Sequence, residues 1–326
     1  AEALRELLRQ RSVLEICDYS AVKVFKEVAV YPIVFRASMD KGARSDPTMT
    51  VMSDLEEVLQ TRDIPVQTFY ADVSWDRYFG AEPASAILTK IMAHPPLQQQ
   101  CKGVSAAATV SEAYELKKVI LEKKEVTGKQ FKKFVNTGTI DRFALCWAER
   151  PTRYIKGSYN APVVLDADLR SINLKRLQQA AAPKIIIGGM TKELECALDP
   201  SGEYLAGKST TIVLDDDLEN LRYLLGVLNS KIVTFWYRHY YKSLSLAGGY
   251  LRINQGEIKT IPVPKSTPAV RRKLAHIVDQ ILAAKRNQST SSKLEAELEE
   301  ELSKMYGLTA EEMALVQDHQ SNLINA

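Results

Sequence analysis

Four cysteines and four histidines are spread over 326 residues, with no Cys-x-x-Cys pair and no histidine beside a cysteine. Structural zinc needs such clustered ligands. Cys17, Cys101, Cys146 and Cys196 are therefore expected to be reduced, mostly buried thiols, with no metal site. No apolar run approaches the roughly 18 residues of a membrane span. The N-terminus also lacks a basic segment leading into an apolar one, so no signal peptide is supported. A cytoplasmic setting without a membrane partner is the expectation. No Ser-His-Asp or Cys-His set has convincing spacing, and no cluster of acids surrounds a lysine in the manner of a nuclease. Asp215-Asp216-Asp217 reads instead as a helix N-terminus, where acids meet the positive end of the dipole. The chain opens on Ala and not Met, which hints at an upstream portion that was removed or never built.

Acids are scarce in one long stretch. Between Arg222 and Arg286 stand twelve Lys or Arg against Glu257 and Asp279, although the net charge of the chain is only +3. A concentrated field of this sign suits a polyphosphate partner. Within that stretch Phe235-Trp236-Tyr237-Arg238-His239-Tyr240-Tyr241-Lys242 interleaves cations with rings, and Gly248-Gly249-Tyr250-Leu251-Arg252 follows it. Such interleaving fits a phosphate backbone, because cations displace counterions while rings pack on sugars and bases. Arg238, Tyr241, Lys242 and Arg252 are the leading contact candidates, while Phe235 and Trp236 are expected in the core. Lys231, in the same basic stretch, joins them. Lys184, Lys192 and Lys208, beside the glycine turns Gly188-Gly189 and Gly207, form a second tier. Gly188-Gly189 itself reads as a turn, since no Gly-x-Gly pattern accompanies it.

Organisation follows from periodicity. Residues 1–11 read as a helix with Leu4, Leu7 and Leu8 on one face, followed by strands over 13–19 and 28–35. A capping box at Ser53-x-x-Glu56 predicts a helix to about Gln60. An amphipathic helix is expected over 85–92. Short β-like runs over 114–120, 142–147, 184–187 and 210–214 predict a β-rich region. From Asp217 the apolar spacing turns helical, with Asn229-Ser230 dividing two helices. Pro268 opens another helix to about Lys285. A polar linker leads to an acidic helix over 293–306, stopped by Gly307, and Thr309-x-x-Glu312 caps a last one. From Ser291 to Gln317 two lysines face seven glutamates, so this tail is expected to pack on protein and stay off a polyphosphate.

Several of these segments together resemble one family. Tyr223-Leu224-Leu225-Gly226-Val227-Leu228-Asn229-Ser230-Lys231 and Ile258-Lys259-Thr260-Ile261-Pro262-Val263-Pro264 resemble the end of the Taq-like C-terminal specificity domain. That domain is the target-recognition half of adenine-N6 DNA methyltransferases in type II, type IIG-like, restriction-modification systems. Val13-Leu14-Glu15-Ile16-Cys17-Asp18-Tyr19 with Ile33-Val34-Phe35 resembles the closing hairpin of the family's catalytic domain, and Pro183-Lys184-Ile185-Ile186-Ile187 its central strand. After Gly103 this chain has Ser and Ala where the family usually carries Thr-Gly. The resemblance implies a mixed α+β fold in three parts: the end of a methyltransferase sheet with linker (1–80), a β-rich target-recognition domain with packed helices (81–265) and a helical appendage (266–326).

It also implies sequence-specific recognition of double-stranded DNA, with S-adenosylmethionine serving a missing catalytic domain. Adenine-N6 chemistry needs an Asn/Asp-Pro-Pro-aromatic motif to hold the amino group and stack on the extruded base. The one Pro-Pro pair here, His94-Pro95-Pro96-Leu97, has neither the amide nor the ring. The chain is thus expected to read and not to catalyse, with no cofactor of its own. Two alternatives stand beside this reading: a piece of a complete methylating enzyme, and a protein-interaction module that uses its terminal helices.

Overall fold

The computed structural model describes residues 1–326 except 1, 20–21, 23, 26–31, 39–43, 72–74, 76–77, 79–81, 242–243, 245–248 and 325–326. The chain divides into two units, residues 1–89 with 238–247, and residues 90–237 with 248–326. The helices of 266–326 fall in the same unit as the strands between 103 and 214.

The first unit opens with α1 (Glu2–Arg9), of which Leu8 is buried while Leu4 and Leu7 stay exposed. Strands β1 (Ser12–Asp18), β2 (Ile33–Ser38), β3 (Thr48–Met52) and β4 (Val58–Asp63) form a sheet of order β2-β1-β3-β4. β1 runs antiparallel to β2 and parallel to β3. Residues 28–31 of the expected second strand lie outside the described residues. The helix expected from Ser53 is absent. Ser53 N–H donates to the Glu57 carbonyl at 2.9 Å, which closes a turn, and Gln60, its expected end, sits mid-strand opposite Val51. Pairing with β3 satisfies backbone groups that an isolated turn of helix would leave to water. α2 (Val66–Ala71) places Phe69 in a core with Val13, Ile16, Met49 and Trp75. α3 (Glu82–Met92) follows as expected.

The second unit holds two four-stranded sheets. β5 (Gly103–Ala106), β13 (Lys184–Gly188), β15 (Cys196–Asp199) and β17 (Thr210–Leu214) make the order β15-β13-β17-β5, antiparallel throughout. β13 is buried along its whole length, as its isoleucine run demands. β6 (Leu121–Glu122), β7 (Phe131–Val135), β12 (Pro162–Leu165) and β16 (Tyr204–Ala206) make the order β16-β7-β12-β6. Val135 and Ala206 of this sheet meet Ile186, Ala197 and Ile212 of the other in one core. The opposite face, with Phe134, Val164 and Leu205, is covered by α4 (Val110–Val119), α5 (Asp166–Ile172) and α6 (Leu174–Ala181).

Residues 114–120, expected as a strand, are therefore mostly helix. The deciding feature is the capping box of Thr109 and Glu112: Thr109 Oγ1 accepts from Glu112 N–H at 3.2 Å, and Glu112 accepts from Thr109 N–H at 2.6 Å. Ala113 and Leu116 then face the core one turn apart, which overrides the β-preference of Tyr114 and Val119.

Small two-stranded ribbons complete the surface: β8 (Ile140–Asp141) with β9 (Ala144–Leu145), β10 (Thr152–Tyr154) with β11 (Gly157–Tyr159), and β14 (Met190–Thr191) with β18 (Leu251–Arg252). α7 (Leu218–Leu228) is capped by Asp217, whose carboxylate accepts from Glu219 N–H at 2.8 Å. α8 (Lys231–Tyr240), α10 (Pro268–Arg286), α11 (Ser292–Tyr306) and α12 (Ala310–Ile324) follow at the expected places, and a short α9 (Gln255–Ile258) was not expected. Gly307 ends α11 with φ of 66°, a left-handed conformation that a side chain would disfavour. No helix among the described residues is long and apolar enough to cross a membrane.

The motifs behind the family resemblance are structural joints. Asn229 donates to the Cys196 carbonyl at 2.9 Å and accepts from Cys196 N–H at 3.0 Å, so it braces the α7–α8 corner on β15 like a strand partner. Ser230 Oγ accepts from Val233 N–H at 3.1 Å and caps α8. In Ile261-Pro262-Val263-Pro264, the Pro262 carbonyl takes the buried Tyr306 hydroxyl at 2.7 Å and the Pro264 carbonyl takes Tyr223 at 2.5 Å. Prolines suit these positions because the segment supplies acceptors on one side while Val263 N–H donates to Pro95 at 2.8 Å.

Candidate nucleic-acid interface

A cleft of about 570 Å³ opens on the second unit. One wall is the start of α4, with Val110 and Tyr114 each more than half exposed. The other is the β10–β11 hairpin, from Arg153 to Ser158, and the floor is Asn136 after β7 together with the Lys208-Ser209 loop before β17. Arg153, Lys156 and Lys208 are exposed, and no carboxylate is among the residues that line the cleft. The nearby acid Glu112 is already engaged. Burial would raise its carboxyl, but hydrogen bonds from Arg176, Thr109 and Asn173 pull it down to about 2, so its charge is consumed locally. Burial also pushes the Tyr154 phenol up to about 12, so this hydroxyl adds no negative charge to the cleft.

The loop geometry is held from below. Thr137 Oγ1 donates to the Ser209 carbonyl at 2.6 Å and accepts from Gly189 N–H at 3.1 Å. A Cβ on Gly189 would fall 2.2 Å from the Ser209 oxygen, so this glycine is there for the close approach of two backbones. It cradles no phosphate. Ile253 N–H donates to the Gly189 carbonyl at 3.0 Å, which ties the β14–β18 ribbon, with exposed Met190 and Arg252, to the same platform. Asn136 donates through Nδ2 to the Arg153 carbonyl at 3.0 Å, while its Oδ1 is buried with no donor upon it. Cations without acids, an exposed ring and an apolar neighbour are a chemistry suited to phosphate, sugar and base.

Residues 132–263 match the TaqI-like C-terminal specificity domain. That span contains Asn136, the hairpin and Lys208, whereas Val110 and Tyr114 precede it. Among curated proteins no relative matches. Two of the similar solved structures are restriction-modification enzymes. The type IIL restriction-modification enzyme MmeI, in complex with DNA, has a TM-score of 0.47 at 10% identity over 97% of this chain and 46% of its own. The type IIG restriction endonuclease BpuSI has a TM-score of 0.40 at 11% identity, over 94% and 45%. The chain spans less than half the length of either.

The eight expected contact residues scatter over the chain. Lys208 lines the cleft, and Arg252 is exposed on the neighbouring ribbon. Lys192 is half-buried, as is Tyr241, and Lys242 lies outside the described residues. Two expectations are corrected, and a third candidate lies beside acids. Lys184 is 1% exposed, because its ammonium donates to Asp199 and to the Ala180 carbonyl at 2.7 Å. Arg238 is 7% exposed, at the end of a stretch of α8 that is buried without a break from Ile232. Lys231 is half-buried beside acids, its N–H donating to Glu299 at 2.5 Å. Arg153, Lys156 and Tyr114 were missed by sequence reasoning. The available signal was period-two alternation across Thr152-Arg153-Tyr154 and Gly157-Ser158-Tyr159 about a Lys-Gly step.

Proposed function

We propose that this chain is the DNA-recognition module of an adenine-N6 methyltransferase of a restriction-modification system. The observation that carries the reading is the acid-free cleft whose cations, Arg153, Lys156 and Lys208, fall inside the specificity-domain match. Arg153 and Lys208 would neutralise phosphates, while Tyr114 offers a face to a sugar or base. Methyl transfer is not assigned to this chain, because no Asn/Asp-Pro-Pro-aromatic motif is in the sequence. His94-Pro95-Pro96-Leu97 serves packing: Leu97 is fully buried and Pro96 pairs with Pro262. S-adenosylmethionine is likewise proposed for a catalytic domain and not for these residues, since the one glycine pair after a strand is filled by the backbone of Ser209. A cytoplasmic setting is proposed with it.

The test is selection from a random duplex pool with the full chain, followed by titration at several salt concentrations. The expected outcome is one enriched site, bound with an affinity that falls linearly in log–log form as salt rises. No enrichment, with weak binding indifferent to salt, would sink the proposal and favour a protein-interaction module.

A further inference from the structure

The β10–β11 hairpin closes in a way its own residues oppose. Tyr154 pairs with Gly157 across a two-residue turn, and both central residues have positive φ, 39° at Ile155 and 60° at Lys156. Turns of this kind favour Asn-Gly, because a side chain in the left-handed region crowds the following carbonyl, and a β-branched one does so most. Among the described residues this is the one place where two successive non-glycine residues adopt positive φ.

Ile155 has a packing reason to be there. It is half-buried against the core that contains Tyr154, Phe134 and Leu116, and that packing holds the turn in place. The Tyr159 ring clamps the other side, since a Cβ on Gly157 would lie 2.8 Å from it. Lys156 has no such reason. It is exposed on the cleft rim, and a glycine or asparagine in its place would relieve the strain with no loss of packing. A strained residue that supports nothing in the fold is kept for its side chain. That side chain stands beside the acid-free cleft, three residues after Arg153 and two before Ser158, a strand pair exposed on the same ribbon.

We infer that the β10–β11 hairpin is the base-reading element, entering the DNA major groove with Lys156 donating to a guanine edge. This rests on the DNA reading proposed above. A two-stranded ribbon fits that groove, and guanine presents O6 and N7 as paired acceptors to a lysine. The fixed turn removes the backbone-ordering cost that a flexible loop would otherwise meet on binding. Arg153, on the flank of the ribbon, is left to face the phosphate backbone.

The experiment compares the full chain with K156G and R153A by selection from a random duplex pool and by salt titration on the selected site. K156G is chosen because glycine favours this backbone, so its thermal midpoint should equal or exceed the parent's. The expected result is that K156G accepts all four bases at one G·C position, with about a tenfold to hundredfold loss on the parent site, while R153A keeps the preferred site and loses affinity on all duplexes alike. If K156G keeps full discrimination, whether its affinity falls uniformly or stays unchanged, Lys156 does not read bases and the inference is overturned while DNA recognition stands. If the parent chain itself enriches no site, the recognition reading fails first and takes the inference with it.

Discussion

Two regions of this protein are rich in lysine and arginine, and they use them in opposite ways. The stretch from Arg222 to Arg286 has the larger count, yet three of its twelve cations are held in ion pairs. Arg222 pairs with Asp279, Lys273 with Glu301 at 2.7 Å and Lys285 with Glu295 at 3.3 Å. The acidic helix α11 supplies two of those partners from outside the stretch. The cleft between α4 and the hairpin has only three cations and no acid among its lining residues. Availability of charge, and not its density along the chain, separates the two. A linear count sees neighbours in sequence, whereas a carboxylate that folds back from a later helix cancels a cation it never adjoins.

The largest expected effect concerns the cation furthest from any surface. Asp199 accepts from Lys184 and also from the N–H groups of Glu203 and Tyr204, at 3.0 and 2.9 Å. D199A would strand a buried ammonium and cost about 3–5 kcal/mol, read as a fall in the urea midpoint. K184A should also destabilise while the salt slope of DNA binding by the folded protein stays unchanged. A slope reduced by K184A would show that Lys184 reaches DNA after all.

The contrast also explains what could be read beforehand. Helices α7, α10 and α11 were legible because Asp217, Thr267-Pro268 and Gly307 punctuate unbroken apolar stripes. β13 and β17 were legible because their residues favour strands and are buried enough to show it. The strand β4 and the helix α4 were not, since in each a local signal competed with a tertiary one: a capping box against pairing with β3, and β-branched residues against a core-facing Ala113-Leu116 stripe. The site suffered most. Lys184 and Arg238 look like surface cations until strand register and the buried stretch of α8 enclose them, and Arg153 with Lys156 gain meaning only when the hairpin meets Lys208 from 52 residues downstream.

A second test probes how α11 holds the basic stretch. Glu299 accepts the Lys231 N–H at the start of α8, with Arg142 and Glu295 nearby. Burial raises its carboxyl to about 7, opposed by Lys231 and Arg142. The folded state therefore binds a proton that the unfolded state releases above its ordinary value near 4.5. Stability is greatest below that value and declines as pH rises through about 7. Glu195, also raised to about 7 by burial, adds to the same decline. E299Q keeps an acceptor for Lys231 and should flatten part of the slope in thermal midpoint against pH. An unaltered slope would mean that Glu299 titrates as an ordinary surface acid.

The smallest effects, and the sharpest division, come from paired substitutions in the two regions. R153A with K208A should lower the salt slope of DNA binding by about 0.9 for each phosphate no longer neutralised, with stability nearly unchanged, because both side chains are exposed. R222A with K273A removes the same formal charge. Both are partners in ion pairs whose members are partly exposed, where each pair contributes about 0–1 kcal/mol. The second variant should therefore lose a little stability and none of the salt slope. Removing the same charge from both regions cancels any contribution of net charge, so a difference between the two variants reports position alone. Equal reductions of slope would mean that DNA responds to the overall field and that the cleft has no privileged role.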